Sequence, residues 1–369
     1  MKSSLRLIKE QFQLDPKFTY LNHGSFGACP HPIFNERAKW QKEIENQPVS
    51  FVDSRAIELL DWSRDALGSY LNCDKDDVVY FPNPTTAMNM VIKSLDLSPG
   101  DEVLSSNHEY GAVERTWKFV SNKKGFSYKS IDIPLPFDKE DFINRIKDGI
   151  TNKTKIIFLS HITSPTALIF PIAEICKLAN ERNIMTIIDG AHAPAQIDLN
   201  LGTLGADIYT GACHKWMLCP KGVAFLYASK EFQDKLDPLV VSWGWESDTP
   251  SHSQFLDYHQ YQGTNDVSAY LSVPSAIEFL NQHKWNDVRD YCHDRIVETR
   301  KILLDTSGTD PICSDQDLGQ MTSILIDTQE PEKLYRYLKE NNIEVPVFNW
   351  NGKNLLRVSF QCYNTMDDI

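Results

Sequence analysis

Two side chains in this sequence, a lysine and an aspartate, are well suited to covalent chemistry. Lys215 lies in the run Thr210-Gly-Ala-Cys-His-Lys-Trp216, and Asp189 begins the run Asp189-Gly-Ala-His192. Residues 183–189 are mostly apolar and end in that carboxylate, which predicts a buried strand with Asp189 at its carboxyl end, where α/β proteins bind ligands. A buried carboxylate needs a cationic partner. The pair therefore predicts a site that holds an aldehyde cofactor.

Pyridoxal phosphate fits this pair, because it is held by a lysine Schiff base and an acidic residue pairs with its pyridinium nitrogen. Each residue also has a structural interpretation. Asp-Gly after a strand is common in turns, and a lysine after a histidine is common on solvated surfaces. A different class also stays open, since Asp189, His192, His214 and His161 offer ligands for a divalent metal in a hydrolase.

Further motifs accompany the pair along nearly the whole chain. They are Tyr20-Leu-Asn-His-Gly-Ser-Phe-Gly27, Asn83-Pro-Thr-Thr-Ala-Met-Asn89, Tyr110-Gly-Ala-Val113, Ser164-Pro-Thr166, Gly263-Thr-Asn-Asp266 and Arg357-Val-Ser359. With these motifs the sequence resembles the class V aminotransferase family of fold-type I pyridoxal phosphate enzymes, and within it the isopenicillin N epimerase-like branch. The resemblance implies a homodimer whose active site is shared between subunits.

The resemblance also assigns roles around the cofactor. The expected cofactor-binding residues are Thr85, Thr86, Tyr110, Ser164, Asp189, His192, His214, Lys215 and Thr264. Thr85 and Thr86 open a predicted helix, and a helix N-terminus suits a phosphate, although a simple N-cap explains them equally well. By resemblance Tyr110 stacks on the pyridine ring, His192 contacts the phenolic oxygen, and Thr264 reaches the phosphate from the partner subunit.

Substrate-binding residues are expected at the two ends of the chain. Arg357 suits an α-carboxylate because a guanidinium grips a carboxylate bidentately, although an arginine in a strand is more often a surface ion pair. By resemblance the turn that contains Asn22 and His23 lies at the mouth of the site. Lys215 is the expected catalytic base at Cα of an amino acid.

Three reactions share removal of the Cα proton: epimerisation, C–S lysis and transamination. Cysteine desulfurases use a thiolate in a loop before the carboxylate-binding arginine, and residues 343–357 contain no cysteine. Persulfide chemistry is therefore not expected, whereas Cys219, close to Lys215, stays a candidate. We expect an epimerase or C–S lyase acting on an amino acid or its sulfur-containing derivative, with transamination as the alternative.

Composition excludes several kinds of partner. The 369 residues carry a formal net charge of −13, with 41% hydrophobic and 24% charged residues. Nucleic acids and anionic membranes need a basic footprint that this chain lacks. The absence of a long apolar run predicts a cytoplasmic protein. The eight cysteines form no Cys-x-x-Cys pair, which predicts free thiols.

Short β-rich runs alternate with helical patterns from about residue 78, which predicts an α/β fold with a mostly parallel sheet flanked by helices. After Gly263 the pattern becomes mainly helical, with short strands near residues 322–326 and 355–359. We therefore expect a large cofactor-binding domain over residues 15–262 and a smaller α+β domain over residues 263–369. The resemblance implies that an N-terminal helix, residues 1–14, packs on the small domain.

Overall fold

A seven-stranded sheet forms the centre of the computed structural model, which describes residues 7–369. Its strands are β2 (Val78–Phe81), β3 (Glu102–Ser106), β4 (Ser127–Ile131), β5 (Thr154–Ser160), β6 (Met185–Asp189), β7 (Ile208–Ala212) and β8 (Ala224–Ala228). They are ordered β2-β8-β7-β6-β5-β3-β4, and only β8 runs antiparallel to its neighbours. The predicted mostly parallel sheet is confirmed.

Helices alternate with the strands along the chain; several of them cover the two faces of this sheet, whereas the last two pack on strands near the C-terminus. They are α1 (His23–Phe26), α2 (His31–Asn46), α3 (Pro48–Ser50), α4 (Ala56–Leu71), α5 (Pro84–Ser94), α6 (Gly111–Lys124), α7 (Lys139–Gly149), α8 (Ile172–Asn180), α9 (Leu201–Leu204), α10 (Lys230–Gln233), α11 (Gln254–Gln260), α12 (Ser268–Leu271), α13 (Val273–Gln282), α14 (Trp285–Ser307) and α15 (Pro331–Glu340). A π-helical turn, Phe51–Arg55, and two 3-10 turns, Lys75–Asp77 and Asp315–Asp317, complete the helical elements.

Strand β5 illustrates why the sheet is buried on both sides. Its side chains alternate in direction, so Ile157 and Leu159 join one hydrophobic cluster while Ile156 and Phe158 join another. Burying a large aliphatic or aromatic side chain contributes about 1.5–3 kcal/mol. Layers of helix on both faces therefore hold the parallel strands in place and fix where their carboxyl ends lie.

A second, antiparallel sheet lies in the C-terminal third of the chain. Strand β12 (Lys353–Ser359) pairs with both β9 (Met321–Ile326) and β11 (Val347–Trp350). Asn351 and Gly352, with φ of 48° and 76°, make the tight turn between β11 and β12. The two-residue strands β1 (Thr19–Tyr20) and β10 (Ile343–Glu344) pair in parallel and join the two ends of the chain.

Two predicted helices have different limits. Of the N-terminal helix expected over residues 1–14, residues 1–6 lie outside the described residues, and only residues 7–9 are helical. Beyond them Phe12 packs edge-on against Tyr363, with ring centroids 4.9 Å apart. The pattern at residues 269–281 predicts one helix, but the helix breaks between Leu271 and Val273, because Pro274 lacks the N–H that a continuous helix needs.

Candidate functional site

The carboxyl ends of β5, β6 and β7 open into a cleft of about 170 Å³. Its lining residues are Ser25, Phe26, Asn83, Pro84, Thr85, Tyr110, Ser160, Ile162, Ser164, Asp189, Ala191, His192, His214 and Lys215. Seven predicted cofactor residues are therefore brought together there: Thr85, Tyr110, Ser164, Asp189, His192, His214 and Lys215. They come from several loops at one edge of the sheet, where α/β folds place ligands.

Asp189 is the last residue of β6 and is buried. Its Oδ1 accepts a hydrogen bond from the backbone N–H of Ala191 at 3.0 Å. Among the described residues no donor reaches its other oxygen, Oδ2. Burial raises the pKa of this carboxyl, whereas the nearby Lys215 lowers it. The free oxygen of Asp189 therefore lacks the cationic or N–H partner that a buried carboxylate requires.

Lys215 follows β7 and places its amine beside an imidazole ring. The Nζ atom of Lys215 lies 3.2 Å from Nε2 of His192, and the indole N–H of Trp216 donates to Nδ1 of the same ring at 3.4 Å. Burial, with a further contribution from Arg357, lowers the pKa of Lys215 to about 7. Burial also holds the pKa of His192 well below its usual value. Near pH 7 the lysine is thus partly a neutral nucleophile.

The backbone of Lys215 is held by the N-terminal turn. His23 is completely buried; its Nε2–H donates to the carbonyl of Lys215 at 3.1 Å, and its Nδ1 lies 2.8 Å from the Tyr363 hydroxyl. A Cβ on Gly27, whose φ is +69°, would collide with the carbonyl of His214. His23 is expected to contact substrate, but it does not line the cleft; its Nε2 is bonded to the carbonyl of Lys215 and its Nδ1 to the hydroxyl of Tyr363.

Arg357 lies in β12 and is buried without an ion pair among residues 7–369. One guanidinium nitrogen donates to the carbonyl of Ser164 at 2.6 Å, and the other donates to the Ser25 hydroxyl at 3.1 Å and to Asn22 Oδ1 at 3.4 Å. Its Nε has no hydrogen-bond partner in the part of the chain that the structure describes. Burial lowers the pKa of Arg357 to about 10, so the group keeps its charge at neutral pH. A buried cation without a carboxylate is suited to binding an anion.

The N-terminus of α5 supplies the predicted phosphate end of the cleft. Thr85 lines the cleft, whereas Asn83 is the N-cap of α5: its Oδ1 accepts hydrogen bonds from the backbone N–H and the hydroxyl of Thr86 at 2.8 and 3.0 Å. The N-cap role therefore belongs to Asn83, and the Thr86 hydroxyl is engaged with it. His214 donates from Nδ1 to the carbonyl of Val223 at 2.9 Å, which leaves Nε2 available. Tyr110, 45% exposed, lines the cleft as the residue before α6.

Thr264 does not reach this cleft. It lies on a groove of about 1140 Å³, called here the apolar groove for its exposed apolar walls Val49, Ile57, Trp243 and Tyr261, although charged residues such as Asp53, Glu58, Asp61 and Arg64 also line it. Trp243 is 85% exposed and Val49 79% exposed. Within one chain, Thr264 is therefore separated from the other residues expected to bind phosphate.

The metal-hydrolase alternative is not supported. Within residues 7–369 no group of three or more His, Cys, Asp or Glu side chains is arranged to hold a metal ion. His161, one of the proposed ligands, places Nδ1 2.9 Å from the buried hydroxyl of Tyr209. The eight cysteines are free thiols, and Cys219 is fully buried without lining the cleft.

Sequence reasoning missed several residues that support the site. Ser25 links Arg357 to Asn22. Glu109, in the loop after β3, accepts hydrogen bonds from Ser106 and Ser160 at 2.6 and 2.7 Å, and Ser160 is the residue of β5 that pairs with Asp189 of β6. Burial raises the pKa of Glu109 to about 8. Only their positions next to recognised motif residues could have indicated them.

The comparisons with known proteins agree with this geometry. A family model described as "Aminotransferase class-V" matches residues 32–369. The chain is 32% identical to isopenicillin N epimerase of Amycolatopsis lactamdurans, over 98% of this chain and 95% of that protein. It is 27% identical to a probable chloroplastic L-cysteine desulfhydrase of Arabidopsis thaliana, over 99% and 84%.

Solved structures share the fold. The cystine C–S lyase C-DES, in complex with cysteine persulfide, superposes with a TM-score of 0.85 at 19% identity, over 96% of this chain and 95% of that one. The resemblance inferred from the motifs is confirmed. The chain belongs to the class V aminotransferase family of pyridoxal phosphate-dependent enzymes.

Proposed function

We propose that this enzyme removes the Cα proton of a sulfur-containing amino acid and cleaves its C–S bond by β-elimination. The observation that carries the proposal is a low-pKa lysine and a buried carboxylate with one free oxygen in the same cleft, next to a buried arginine without an ion pair that donates to Ser164 and Ser25 in the cleft wall. These three groups match the amine, the ring nitrogen and the carboxylate chemistry of an amino acid bound to pyridoxal phosphate.

The residues of the cleft fit the cofactor. The free oxygen of Asp189 suits a ring N–H, the Lys215 amine suits the aldehyde, and the helix terminus at Thr85 suits the phosphate. When bound, the cofactor supplies an electron sink for the pair left at Cα. Tyr110 lines the wall of the cleft, where an aromatic ring can stack on the pyridine.

The protein's own groups then divide the work. Arg357 binds the substrate carboxylate, which fixes the direction in which the Cα–H bond points. Lys215 takes the Cα proton, and its lowered pKa keeps a large fraction of the amine unprotonated at neutral pH. The Cβ–S bond breaks with its electron pair on sulfur. The three-carbon remainder hydrolyses to pyruvate and ammonia.

Elimination fits the cleft better than inversion does. Epimerisation needs one group to remove a proton and a second to return a proton on the opposite face of Cα. His192 and His214 both line the cleft, but burial lowers their pKa values, to about 4 in His214, so neither carries an acidic proton at neutral pH. A single lysine base is sufficient for elimination.

Epimerisation at Cα of an amino acid or a derivative such as isopenicillin N is the second candidate. It is favoured by the 32% identity to an isopenicillin N epimerase over nearly the full length of both chains. The L-cysteine desulfhydrase name of another relative favours the lyase. Transamination follows the same first step and is tested in the same assay.

We further propose that two copies assemble so that Thr264 of each reaches the phosphate end of the other's cleft. The exposed apolar groove around Trp243 supports this, since monomers rarely expose large contiguous apolar surfaces.

Incubation of the purified enzyme in heavy water with cysteine, cystine, cysteine S-conjugates and isopenicillin N distinguishes the reactions. Release of pyruvate, ammonia and a sulfur product supports the lyase. Inversion with deuterium at Cα supports the epimerase, and a keto acid that retains its side chain supports transamination. If none of these products forms with any of the substrates, the proposal that the enzyme acts at Cα is contradicted.

A further inference from the structure

The ring nitrogens of His192 have different partners. Nδ1 faces the indole N–H of Trp216 at 3.4 Å, and Nε2 faces the amine of Lys215 at 3.2 Å. Both rings are buried, His192 at 3% exposure and Trp216 at 0%. Trp216 directly follows Lys215 in the chain, so the same turn positions the amine and the indole on two edges of one imidazole.

The direction of these hydrogen bonds follows from the chemistry of the groups. An indole N–H can only donate, so Nδ1 of His192 must accept and carries no proton. A neutral imidazole with an unprotonated Nδ1 carries its proton on Nε2. Nε2–H therefore donates to the lone pair of the Lys215 amine, and that bond exists only when the amine is neutral.

We propose that Trp216 is a positioning residue that fixes His192 as the Nε2–H tautomer, so that the imidazole presents a proton, not a lone pair, to the Lys215 amine. The tautomer selects the neutral amine, because an ammonium facing an N–H has no acceptor. The same N–H is directed into the cleft where the cofactor's phenolic oxygen is expected, so the effect on cofactor chemistry rests on the function proposed above.

The rest of the surroundings agree. The charged groups that act on Lys215 are Arg357, which disfavours the ammonium, and Asp189, which favours it. His23 packs against Trp216 with ring centroids 4.7 Å apart and holds the carbonyl of Lys215. His23 therefore contacts both the indole of Trp216 and the backbone of Lys215, and this fixes the turn that holds the indole against His192.

The substitution Trp216→Phe tests the proposal, because it removes the N–H donor and keeps an aromatic ring. A matched control exists in Trp117→Phe: Trp117 is also fully buried, and its indole N–H has no hydrogen-bond partner among the described residues. Both variants and the wild type are labelled with ¹⁵N-histidine and stripped of cofactor. The His192 signals are assigned by their loss in His192→Gln.

Nitrogen NMR of the cofactor-free proteins reports the tautomer directly. We expect Nε2–H in the wild type and in Trp117→Phe, and a mixture that includes Nδ1–H in Trp216→Phe. A wild-type His192 found as Nδ1–H overturns the proposal without any variant, so the test survives even if Trp216→Phe does not fold.

The rate of covalent pyridoxal phosphate binding, followed by absorbance against pH, is the second measurement. In the wild type the rate rises through the Lys215 pKa of about 7. In Trp216→Phe the midpoint moves up by on the order of one unit, which makes binding at pH 7 roughly fivefold slower. An equal shift in Trp117→Phe assigns the effect to lost volume and overturns the proposal. Neither measurement depends on turnover, so both can still test the role of Trp216 if the substrate assay contradicts the proposed function.

Discussion

The floor of the cleft, formed by Lys215, His192 and Trp216, and the apolar groove around Trp243 differ in whether a single chain supplies all the partners of their residues. At the floor, Lys215, His192 and Trp216 are buried or enclosed, and their polar atoms face one another at hydrogen-bonding distance. At the groove, Trp243 and Val49 expose most of their surface and Thr264 has no phosphate-binding neighbour. With the roles proposed for Lys215 and Asp189, the covalent chemistry would lie within a single chain, whereas part of the cofactor's phosphate site is expected to come from a second copy.

The largest effect is expected at the floor. Replacing Lys215 with Ala removes both the covalent attachment point and the base, so we expect turnover to fall by about 10³-fold or more. The measurement is steady-state activity together with borohydride reduction of the bound cofactor, read by mass spectrometry. Lys230→Ala, at a side chain that is 74% exposed, is the control and should behave as wild type. Cofactor that stays covalently attached in Lys215→Ala would contradict the assignment.

A second change separates substrate binding from cofactor binding. Arg357→Lys keeps the charge but loses the planar pair of donors, and hydrogen bonds to charged groups contribute about 1.5–3 kcal/mol. We therefore expect KM for the amino acid to rise roughly 10- to 100-fold. Absorbance titration of pyridoxal phosphate should be unaffected. An unchanged KM with weakened cofactor binding would place Arg357 elsewhere in the mechanism.

The groove is tested by placing a charge in it. If Trp243 is buried between two copies, Trp243→Glu should cost 2 kcal/mol or more of association free energy, which raises the dimer dissociation constant by about 30-fold. Sedimentation velocity over a dilution series measures this. Tyr337→Glu, at an exposed tyrosine on α15, serves as the control. If the wild-type protein sediments as a monomer at all concentrations, the proposal that the groove is a dimer interface contributing Thr264 to the cofactor site is contradicted.

The smallest expected effect is a pH dependence of stability at the floor. Burial lowers the pKa of His23 to about 3 from its usual 6.5, so the unfolded chain binds a proton below pH 6.5 that the folded chain refuses. Stability from this group is present above 6.5 and is lost as pH falls. Glu109, whose pKa is raised, acts in the opposite direction.

Comparison with His23→Gln isolates the contribution of His23. Between pH 7 and pH 5.5 the wild type should lose about 1 kcal/mol more of its unfolding free energy than this variant. Urea denaturation of the cofactor-free proteins gives both values. Parallel pH dependences would mean that His23 is not held neutral.

The sheet and the reactive pair were predictable because they depend on local patterns. The apolar β-rich run that ends in Asp189 predicts both a strand and the position of its carboxyl end. Lys215 comes shortly after the neighbouring strand of the sheet. The helix break near Ser272 was missed because the periodic apolar pattern continues across it, although Pro274 marks it.

Long-range contacts were not predictable. His23 meets the carbonyl of Lys215, and Arg357 meets Ser164, each across more than 190 residues of sequence. The residue types of His23 and Arg357 indicated chemistry, but only packing decides whether a side chain faces substrate or the backbone. The substrate contact expected of His23 therefore stays a prediction, while the unpaired state of Arg357 became visible only once its surroundings were known.

The hairpin of β11 and β12 has a consequence for the fate of the released sulfur. It occupies the segment just before Arg357, and it is anchored by Trp350, whose indole N–H donates to the carbonyl of Asn107 at 2.8 Å. The hairpin carries no thiol that might accept sulfur. In the proposed lyase, the sulfur would therefore not pass through a persulfide on this hairpin.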